Sequence, residues 1–292
     1  MRVWVCGARG STPAPGPDFV RYGGHTSCLA LAADGGAPSL LLDAGTGIRR
    51  VSGLLLGKPF RGTILLGHLH WDHTQGLPFF TAGDRPGAAV DLFLPAQEQR
   101  GAEAVLERAM SPPHFPIPPS GLRGSWRIAG MEAGHHRIEG FDVLARDIPH
   151  KGGRTFGFRV TDDSGSLAYL SDHSPVSLGP GPAGLGPYHE AALALAQGVD
   201  LLVHDAQHTA PELAARAAFG HSAAEYAVGL GEAAGAQRVL LFHHDPARTD
   251  PELDTLVDGL RRDSIDVSAA AEEMVLDLPG GPLPMDQPAR SR

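Results

Sequence analysis

The sequence runs Thr63-Ile64-Leu65-Leu66-Gly67-His68-Leu69-His70-Trp71-Asp72-His73, an apolar stretch followed at once by three imidazoles and one carboxylate. Alternate side chains of an extended backbone point the same way, so His68 and His70 can reach one metal ion. Asp72 and His73 lie past the turn and can serve a second ion. Neutral imidazoles and carboxylates suit zinc, manganese or iron, whereas calcium prefers an all-oxygen site. Although isolated histidines usually lie in loops or at the rim of a core, this run predicts half of a two-metal hydrolytic centre.

Length and composition indicate one globular domain. The chain has 292 residues, of which 42% are hydrophobic and 20% charged, as in an ordinary packed protein. We expect a single domain over residues 1–278 and a solvated, flexible tail over residues 279–292. Cys6 and Cys28 are too few for a disulfide framework and are predicted to be small buried hydrophobes. The apolar start Val3-Trp4-Val5-Cys6 is too short for a signal peptide and no stretch approaches a membrane span, which predicts a cytoplasmic protein.

The charge balance favours a small substrate. Lys and Arg number 24 against 33 Asp and Glu, which gives a formal net charge of −9, and no dense basic run occurs. A long polyanion would find little attraction outside the active site, because binding of nucleic acid depends on basic surfaces. Long nucleic acid is therefore disfavoured as a partner.

Short apolar runs broken by Gly, Pro and Asp predict buried strands in the first half of the chain. The predicted strands are Arg2-Ala8, Ser27-Ala33, Ser39-Asp43, Gly62-Leu66 and Ala89-Leu94, and helices are predicted at Gly47-Leu56 and Glu98-Met110. The proline-rich stretch from Ser111 to Ser120 cannot form regular structure, since each proline removes a donor and constrains the residue before it. We predict a loop there, without knowing whether it gates or recognises substrate.

The second half adds a further block of strands and then alternates helices with strands. The predicted strands are Phe141-Ile148, Thr155-Thr161, Leu167-Leu170, Val199-Val203, Arg238-Phe242 and Glu273-Leu278, and the predicted helices are Tyr188-Gln197, Ala223-Ala234 and Pro251-Arg262. A glycine- and proline-rich stretch over residues 175–187 is predicted to be a loop. Two strand-rich blocks, each followed by helices, predict an α/β fold in the form of a four-layer αββα sandwich.

Further ligands of a two-metal site are expected at strand ends, where the scaffold holds them rigidly. Three residues stand in such positions. His150 follows the strand Phe141-Ile148, Asp172 follows Leu167-Leu170, and His243 follows Arg238-Phe242. None of the three is convincing alone, but together they fit one edge of the fold.

With these strand-end ligands, the run from His68 to His73 resembles the metallo-β-lactamase fold superfamily over nearly the whole chain. Within it the chain resembles the phosphodiesterase branch, which includes tRNase Z and bacterial cyclic-nucleotide phosphodiesterases. His204-Asp205-Ala206-Gln207 is similar to the His-Glu-Ala-Thr motif of tRNase Z, with aspartate in place of glutamate. Gly220-His221-Ser222-Ala223 is similar to its Gly-His-Ser-Thr element. The stretches Gly7 to Pro13 and Leu42 to Gly47 complete the pattern.

The resemblance implies two divalent metal ions, zinc or manganese. It implies that His68, His70 and His150 hold one ion. It implies that Asp72, His73 and His243 hold the other, with Asp172 bridging. A metal-bridging hydroxide, oriented by a hydrogen bond to Asp72, would then hydrolyse a phosphodiester in line.

The leaving oxygen needs a proton, and the resemblance assigns its delivery to His221, with Asp205 as the carboxylate that supports it. Alternatively, His221 only precedes a helix that Ser222 caps. His204 is a further catalytic candidate that could instead be a satisfied core histidine. Asp43 is predicted to hydrogen-bond a ligating imidazole.

Other polar residues carry weaker expectations. Arg9 is a candidate for phosphate contact. His244 and Asp245 could support the second metal, and most of the remaining histidines are expected at the surface.

The sequence is compatible with four functions. The first is hydrolysis of a small nucleotide phosphodiester, either a cyclic nucleotide or a short dinucleotide. The second is a tRNase Z-type endonuclease, although the long basic arm by which that family grips transfer RNA is not visible in the sequence. The third is a lactonase or thioesterase on the same fold, and the fourth is a non-catalytic binding protein. The exact substrate and the native metal stay open, and so does the oligomeric state, for which a homodimer is one option.

Overall fold

The computed structural model describes residues 1–33, 35–97 and 101–279, and within them fourteen strands form two seven-stranded sheets. The first sheet contains β1 (Arg2–Gly7), β2 (Cys28–Ala32), β3 (Leu40–Leu42), β4 (Arg61–Leu65), β5 (Ala89–Pro95), β6 (Ser125–Met131) and β14 (Val275–Asp277). The second contains β7 (Gly134–Ile138), β8 (Phe141–Asp147), β9 (Phe156–Thr161), β10 (Ser166–Leu170), β11 (Leu201–Asp205), β12 (Arg238–Phe242) and β13 (Asp266–Ala269). Their spatial orders are β14-β1-β2-β3-β4-β5-β6 and β13-β12-β11-β10-β9-β8-β7. Each half of the chain thus builds one sheet, and only β14 crosses back.

The helices connect the strands and cover the sheets. Those of the described residues are α1 (Ile48–Leu54), α2 (Trp71–Thr74), α3 (Ala102–Glu107), α4 (Glu190–Ala196), α5 (Ala210–Arg216), α6 (Ala224–Ala234) and α7 (Asp250–Leu260). α5 and α7 both begin with a capping box, in which the threonine side chain and the glutamate three residues later satisfy each other's backbone N–H groups. None of these helices combines the length and apolar character needed to cross a membrane.

Apolar side chains form three buried clusters that define the layers. Between the sheets, Val5 and Leu31 of the first sheet pack in one cluster with Phe158 and Tyr169 of the second. A second cluster lies under α4 and α6 on the outer face of the second sheet, and a third lies under α1 on the outer face of the first. The order helix, sheet, sheet, helix confirms the predicted four-layer αββα sandwich.

The predicted elements agree with the structure except in a few places, one of which is the short helix α2, which was not predicted. Strands β6, β7 and β13 and helix α5 were not predicted. The helix predicted at Glu98-Met110 covers only Ala102–Glu107, and its residues 98–100 lie outside the described part of the chain. Residues 280–292 of the predicted tail also lie outside it. Cys6 and Cys28 are buried, as predicted.

Parallel strands bring the functional residues to one edge. In the second sheet β10, β11 and β12 run parallel, so that Asp172, Asp205 and His243 emerge at the same end. In the first sheet β4 runs parallel to β3 and β5, and the run from His68 to His73 follows its end. Both sheets therefore contribute to one rim.

Candidate metal centre

Four side chains from both halves of the chain form a first group of potential ligand atoms. The group consists of His68, His70, His150 and Asp172, whose atoms lie within 4.8 Å of one another. His150 Nε2 lies 3.2 Å from His70 Nδ1 and 3.5 Å from Asp172 Oδ2. His68 Nε2 lies 3.6 Å from the same oxygen. Three imidazole nitrogens and one carboxylate oxygen are a suitable donor set for a transition metal.

A second group lies beside the first and consists of Asp72, His73, Asp172 and His243. His73 Nε2 and His243 Nε2 lie 2.9 and 3.2 Å from Asp172 Oδ1. Asp72 Oδ2 lies 3.3 Å from His73 Nε2 and 3.0 Å from His243 Nε2. Asp172 therefore divides its two oxygens between the groups, with Oδ2 facing the first and Oδ1 the second.

The polar atoms of this cluster are buried without the partners that such atoms need. Among the described residues, His68 Nε2, His73 Nε2 and both Asp172 oxygens have no aligned hydrogen bond, although oppositely charged groups are close. A buried polar atom without a partner costs free energy unless something else satisfies it. Metal ions would satisfy all four atoms, so the residues present fit a divalent cation at each group.

The protonation equilibria agree with a cation at the second group. Burial alone would lower the pKa of His73, yet the carboxylates of Asp172, Asp72 and Asp43 hold it well above the ordinary value. The pKa of His243 is raised to about 9 against the same effect of burial, mainly by Asp172. In the first group, burial keeps the pKa of His68 well below the usual value. The carboxylates that raise these two pKa values would equally attract a cation, whereas the first group offers neutral imidazoles.

Asp43 fixes the ring of His73. Its Oδ2 accepts hydrogen bonds from His73 Nδ1 at 2.7 Å and from the Tyr169 hydroxyl at 2.7 Å. Its Oδ1 accepts one from the Gly67 backbone N–H at 2.7 Å. A hydrogen bond at Nδ1 leaves Nε2 of His73 free to bind metal, which is how ligating histidines are oriented. The predicted hydrogen bond between Asp43 and an imidazole of the run is confirmed, with His73 as the partner.

Replacing Asp43 with Asn is expected to weaken metal binding by about 10- to 100-fold, because the orienting carboxylate loses its charge. Asparagine tolerates the left-handed backbone at this position, where φ is 61°, so the fold should persist. Competition with a chromophoric chelator gives the affinity. Asp200→Asn is the control, since Asp200 bonds the Ser166 N–H on the second sheet and belongs to neither group. Equal affinities in the two variants would contradict the assignment.

His221 and Asp205 form a pair next to the two groups. His221 Nδ1 donates to Asp205 Oδ2 at 2.9 Å. Asp205 also accepts from the backbone N–H groups of His173 and Gln207. His221 lines a cavity of about 570 Å³ together with Asp72 and Asp172. Since Nδ1 is occupied, Nε2 is the nitrogen left to face this cavity.

The structure places His204 outside the cluster, which corrects its assignment as a catalytic residue. The side chain is fully buried on β11. Its Nε2 pairs with His173 Nδ1 at 2.9 Å and its Nδ1 donates to the Asp205 carbonyl at 2.8 Å. His173 Nε2 in turn pairs with His189 Nε2 at 2.7 Å. His204 is thus the satisfied core histidine that the sequence left as the alternative.

The free energy of unfolding is expected to fall by up to about 3 kcal/mol as the pH drops from about 6.5 to 4, through His204 alone. Burial lowers the pKa of His204 to about 4. An unfolded histidine titrates near 6.5, so between these values only the unfolded chain binds this proton. The free energy of unfolding of the wild type and of His204→Gln is measured by urea unfolding at pH 7.0 and 4.5, with a chelator present. The wild type should lose more stability between the two pH values than the variant. A variant that loses as much stability as the wild type would contradict the prediction.

Other expectations about polar residues are wrong. Arg9 is fully buried and donates to the carbonyls of Gly23 and Arg248, so it is a structural residue and no phosphate ligand. His244 donates from Nε2 to the Ala270 carbonyl and belongs to neither ligand group. Most of the remaining histidines are not buried, as expected, but His173, His208 and His244 are.

Two contacts at the second group were not predicted. The backbone N–H of Ser11, a residue with φ of 61°, donates to Asp72 Oδ2 at 2.7 Å. Gly10 packs so closely against His243 that a Cβ on it would lie 2.3 Å from the ring Nδ1. The glycines of the Gly7 to Pro13 loop were a signal of close approach, but the sequence did not reveal the partner.

Comparison with known proteins agrees with this geometry. A family model for the beta-lactamase superfamily domain matches residues 39–244, well over half of the chain. The chain belongs to the beta-lactamase superfamily. It is similar to ribonuclease Z of Salinibacter ruber, with 27% identity over 273 residues, 78% of this chain and 81% of that protein. It is also similar to ribonuclease Z of Geobacillus kaustophilus, with 26% identity over 224 residues, 62% of this chain and 69% of that protein.

A solved structure supports the fold. A new diphosphatase from the PhnP family superposes with a TM-score of 0.69 and 20% identity, covering 97% of this chain and 99% of that one. The chain is therefore a hydrolase of the metallo-β-lactamase fold, and its His/Asp groups are where an enzyme of this superfamily would hold divalent metal.

Proposed function

We propose that this superfamily member is a two-metal phosphodiesterase that hydrolyses a small nucleotide phosphodiester. The observation that carries the proposal is Asp172, whose two oxygens face two separate groups of ligand atoms. We assign His68, His70 and His150 to one ion and Asp72, His73 and His243 to the other. Two bound cations, zinc or manganese, would polarise the phosphoryl group and acidify a water molecule.

The chain's own residues supply the proton chemistry. Asp205 holds Nδ1 of His221, so the His221 ring is fixed with Nε2 towards the substrate cavity. A proton on Nε2 can pass to the leaving oxygen as the phosphorus–oxygen bond breaks. Asp72 is held through Oδ2 by the Ser11 N–H, which leaves Oδ1 to accept a hydrogen bond from the attacking water. This acid is what favours a phosphodiester over a lactone or thioester, which share the need for a metal-activated water.

A substrate panel tests the proposal. Metal-free protein reloaded with zinc or with manganese is offered bis(p-nitrophenyl) phosphate, cyclic nucleotides, linear dinucleotides, precursor transfer RNA and an acyl lactone. We expect hydrolysis of the activated diester and of a small nucleotide diester, and no activity after chelation. Failure to cleave any diester with either metal would overturn the proposal. Preferential lactone cleavage would favour the carbonyl hydrolase, and a protein that binds no metal would favour the non-catalytic alternative.

Processing of transfer RNA is the second candidate, because both curated relatives named above are ribonuclease Z enzymes. The net charge of −9 argues against a long polyanionic substrate. In its described residues, 96–97 and 101–124, the insertion between β5 and β6 carries a short helix and a proline-rich loop and no long arm. Cleavage of precursor transfer RNA at the discriminator base in preference to dinucleotides would reverse the ranking.

A further inference from the structure

A second and larger cavity opens beside the metal centre. It has a volume of about 1210 Å³ and shares Leu69 and Trp71 with the smaller cavity that contains His221. Both shared residues belong to the run from His68 to His73. A molecule with a phosphate at the metal centre can therefore extend directly into this space. We call it the insertion groove and define it by Trp71, Phe79, Val105, Met110 and Phe115.

The insertion groove lies between the metal-binding run and the insertion that follows β5. Trp71 and Phe79 stand on the metal side, whereas Val105 belongs to α3 and Phe115 to the proline-rich loop. The rings of Phe79 and Phe115 meet edge to face with centroids 5.9 Å apart. One wall is thus part of the site itself, and the other is supplied by the insertion.

The lining mixes polar side chains such as Gln97 and Arg108 with aromatic rings, which suits a flat group that has an apolar face and a polar edge. Trp71 and Phe79 are 76% and 56% exposed and line the same cavity, so they form an exposed aromatic patch beside the metal centre. Neither is needed in a core cluster, so their exposure calls for a ligand. Aromatic side chains at such positions stack with nucleobases, which offer a π-face whatever their sequence.

We propose that the insertion groove binds a nucleobase of the substrate, and that its size selects a linear dinucleotide over a cyclic mononucleotide. This inference rests on the function proposed above. Ligand cavities usually measure about 300–1,000 Å³, so a single cyclic nucleotide would leave much of a 1210 Å³ groove empty. In a linear dinucleotide the second nucleoside reaches beyond the scissile phosphate and can occupy the groove.

Two diesters with the same leaving group separate binding in the groove from catalysis. The probes are thymidine 5′-(p-nitrophenyl phosphate) and methyl p-nitrophenyl phosphate, assayed with the metal-loaded protein. Phe115→Ala removes one aromatic side chain from the wall that the insertion supplies, and we expect KM for the thymidine ester to rise about tenfold. The values of kcat for both esters and of KM for the methyl ester should stay unchanged. The preference in kcat/KM for a linear dinucleotide over a cyclic mononucleotide should fall by a similar factor.

A second variant fills the groove instead of opening it. Ala109→Trp adds a large side chain at an exposed position that lines the groove, and it should raise KM for the thymidine ester but not for the methyl ester. Leu56→Ala is the matched control, because Leu56 is 88% exposed and lines neither cavity. It should change neither KM value.

The outcomes distinguish this inference from the proposed function. If Phe115→Ala and Ala109→Trp affect both esters equally, or have no effect, nucleobase binding in the insertion groove is refuted, but the proposed phosphodiesterase function is not. A wild-type protein that cleaves neither ester, yet binds thymidine 5′-monophosphate in equilibrium dialysis more tightly than Phe115→Ala, would overturn the function and support the groove. A dimer that Phe115→Ala dissociates in sedimentation without changing either KM would identify the groove as a contact between copies of the chain and overturn its role in binding.

Discussion

Asp172→Asn is expected to abolish the binding of both metals at stoichiometric concentration and to lower phosphodiesterase activity on the order of a thousandfold. Asparagine has nearly the same shape but offers one oxygen and one NH₂ group, so it cannot present an anionic oxygen to each ligand group. In the wild type, Asp172 Oδ1 lies 2.9 Å from His73 Nε2 and Oδ2 lies 3.5 Å from His150 Nε2. Metal content by atomic emission, with kcat/KM on the activated diester, measures both effects.

Asp245→Asn is the control for that experiment. Asp245 lines the same cavity but pairs with Arg216 and belongs to neither ligand group. It should keep both metals. An Asp172→Asn protein that retains two metals per chain would refute the bridging assignment, whatever its activity.

His221→Ala is expected to lower kcat for a dinucleotide by about 10²- to 10⁴-fold, the usual contribution of a general acid. The loss should be much smaller for a p-nitrophenyl diester, because p-nitrophenolate leaves without protonation. The dependence on the leaving group separates an acid from a residue that only positions the substrate. Asp205→Asn should give a weaker form of the same pattern, since it loosens the ring but leaves its proton.

Metal content provides the second readout for His221. Ligand atoms of Asp205, His221 and His243 also lie within 4.8 Å of one another, so a metal-binding role for His221 is geometrically conceivable. The 2.9 Å hydrogen bond to Asp205 favours a general-acid role for His221 over metal binding, because it occupies Nδ1 of the His221 ring. Loss of metal in His221→Ala, or an equal fall in kcat on both substrates, would refute the role of His221 as the general acid.

The positions of the proposed ligands could be predicted because they depend on local rules. Short apolar runs predict strands, and His150, Asp172 and His243 follow soon after such runs. β8, β10 and β12 run in the same direction and end at one edge of the second sheet, so these residues meet the run from His68 to His73. The apolar runs are recognised without knowledge of contacts between distant parts of the chain.

The three strands that escaped prediction lack that local signal. In β6 most side chains are partly or fully exposed, and β7 contains no buried residue, so neither shows a continuous apolar run. β13 has only four residues and is recognised through its pairing with β12. Strand pairing at a sheet edge depends on a neighbour that the sequence alone does not identify.

The polar residues that were misjudged depend on distant partners. Arg9 looks like a phosphate ligand in a glycine-containing loop, but its partner Arg248 is 239 residues away in the chain. His204 is satisfied by His173, 31 residues earlier. The residue types of Arg9 and His204 suggested a functional role. In both cases the role depends on a contact with a distant residue, which no local sequence pattern reveals.

The metal centre is built across the seam between the two sheets. His68 to His73 follow the first sheet, His150, Asp172 and His243 follow strands of the second, and Asp43 beside the first accepts from Tyr169 of the second. Cations bound here would contact ligands from both sheets. Their binding free energy would therefore stabilise the packing of one sheet against the other. A fluctuation that separates the sheets at this rim would separate the metal ligands and stop catalysis, although the hydrogen bonds within each sheet would remain. Turnover would then cease before the polypeptide unfolds, and a higher concentration of free metal would delay that loss on heating.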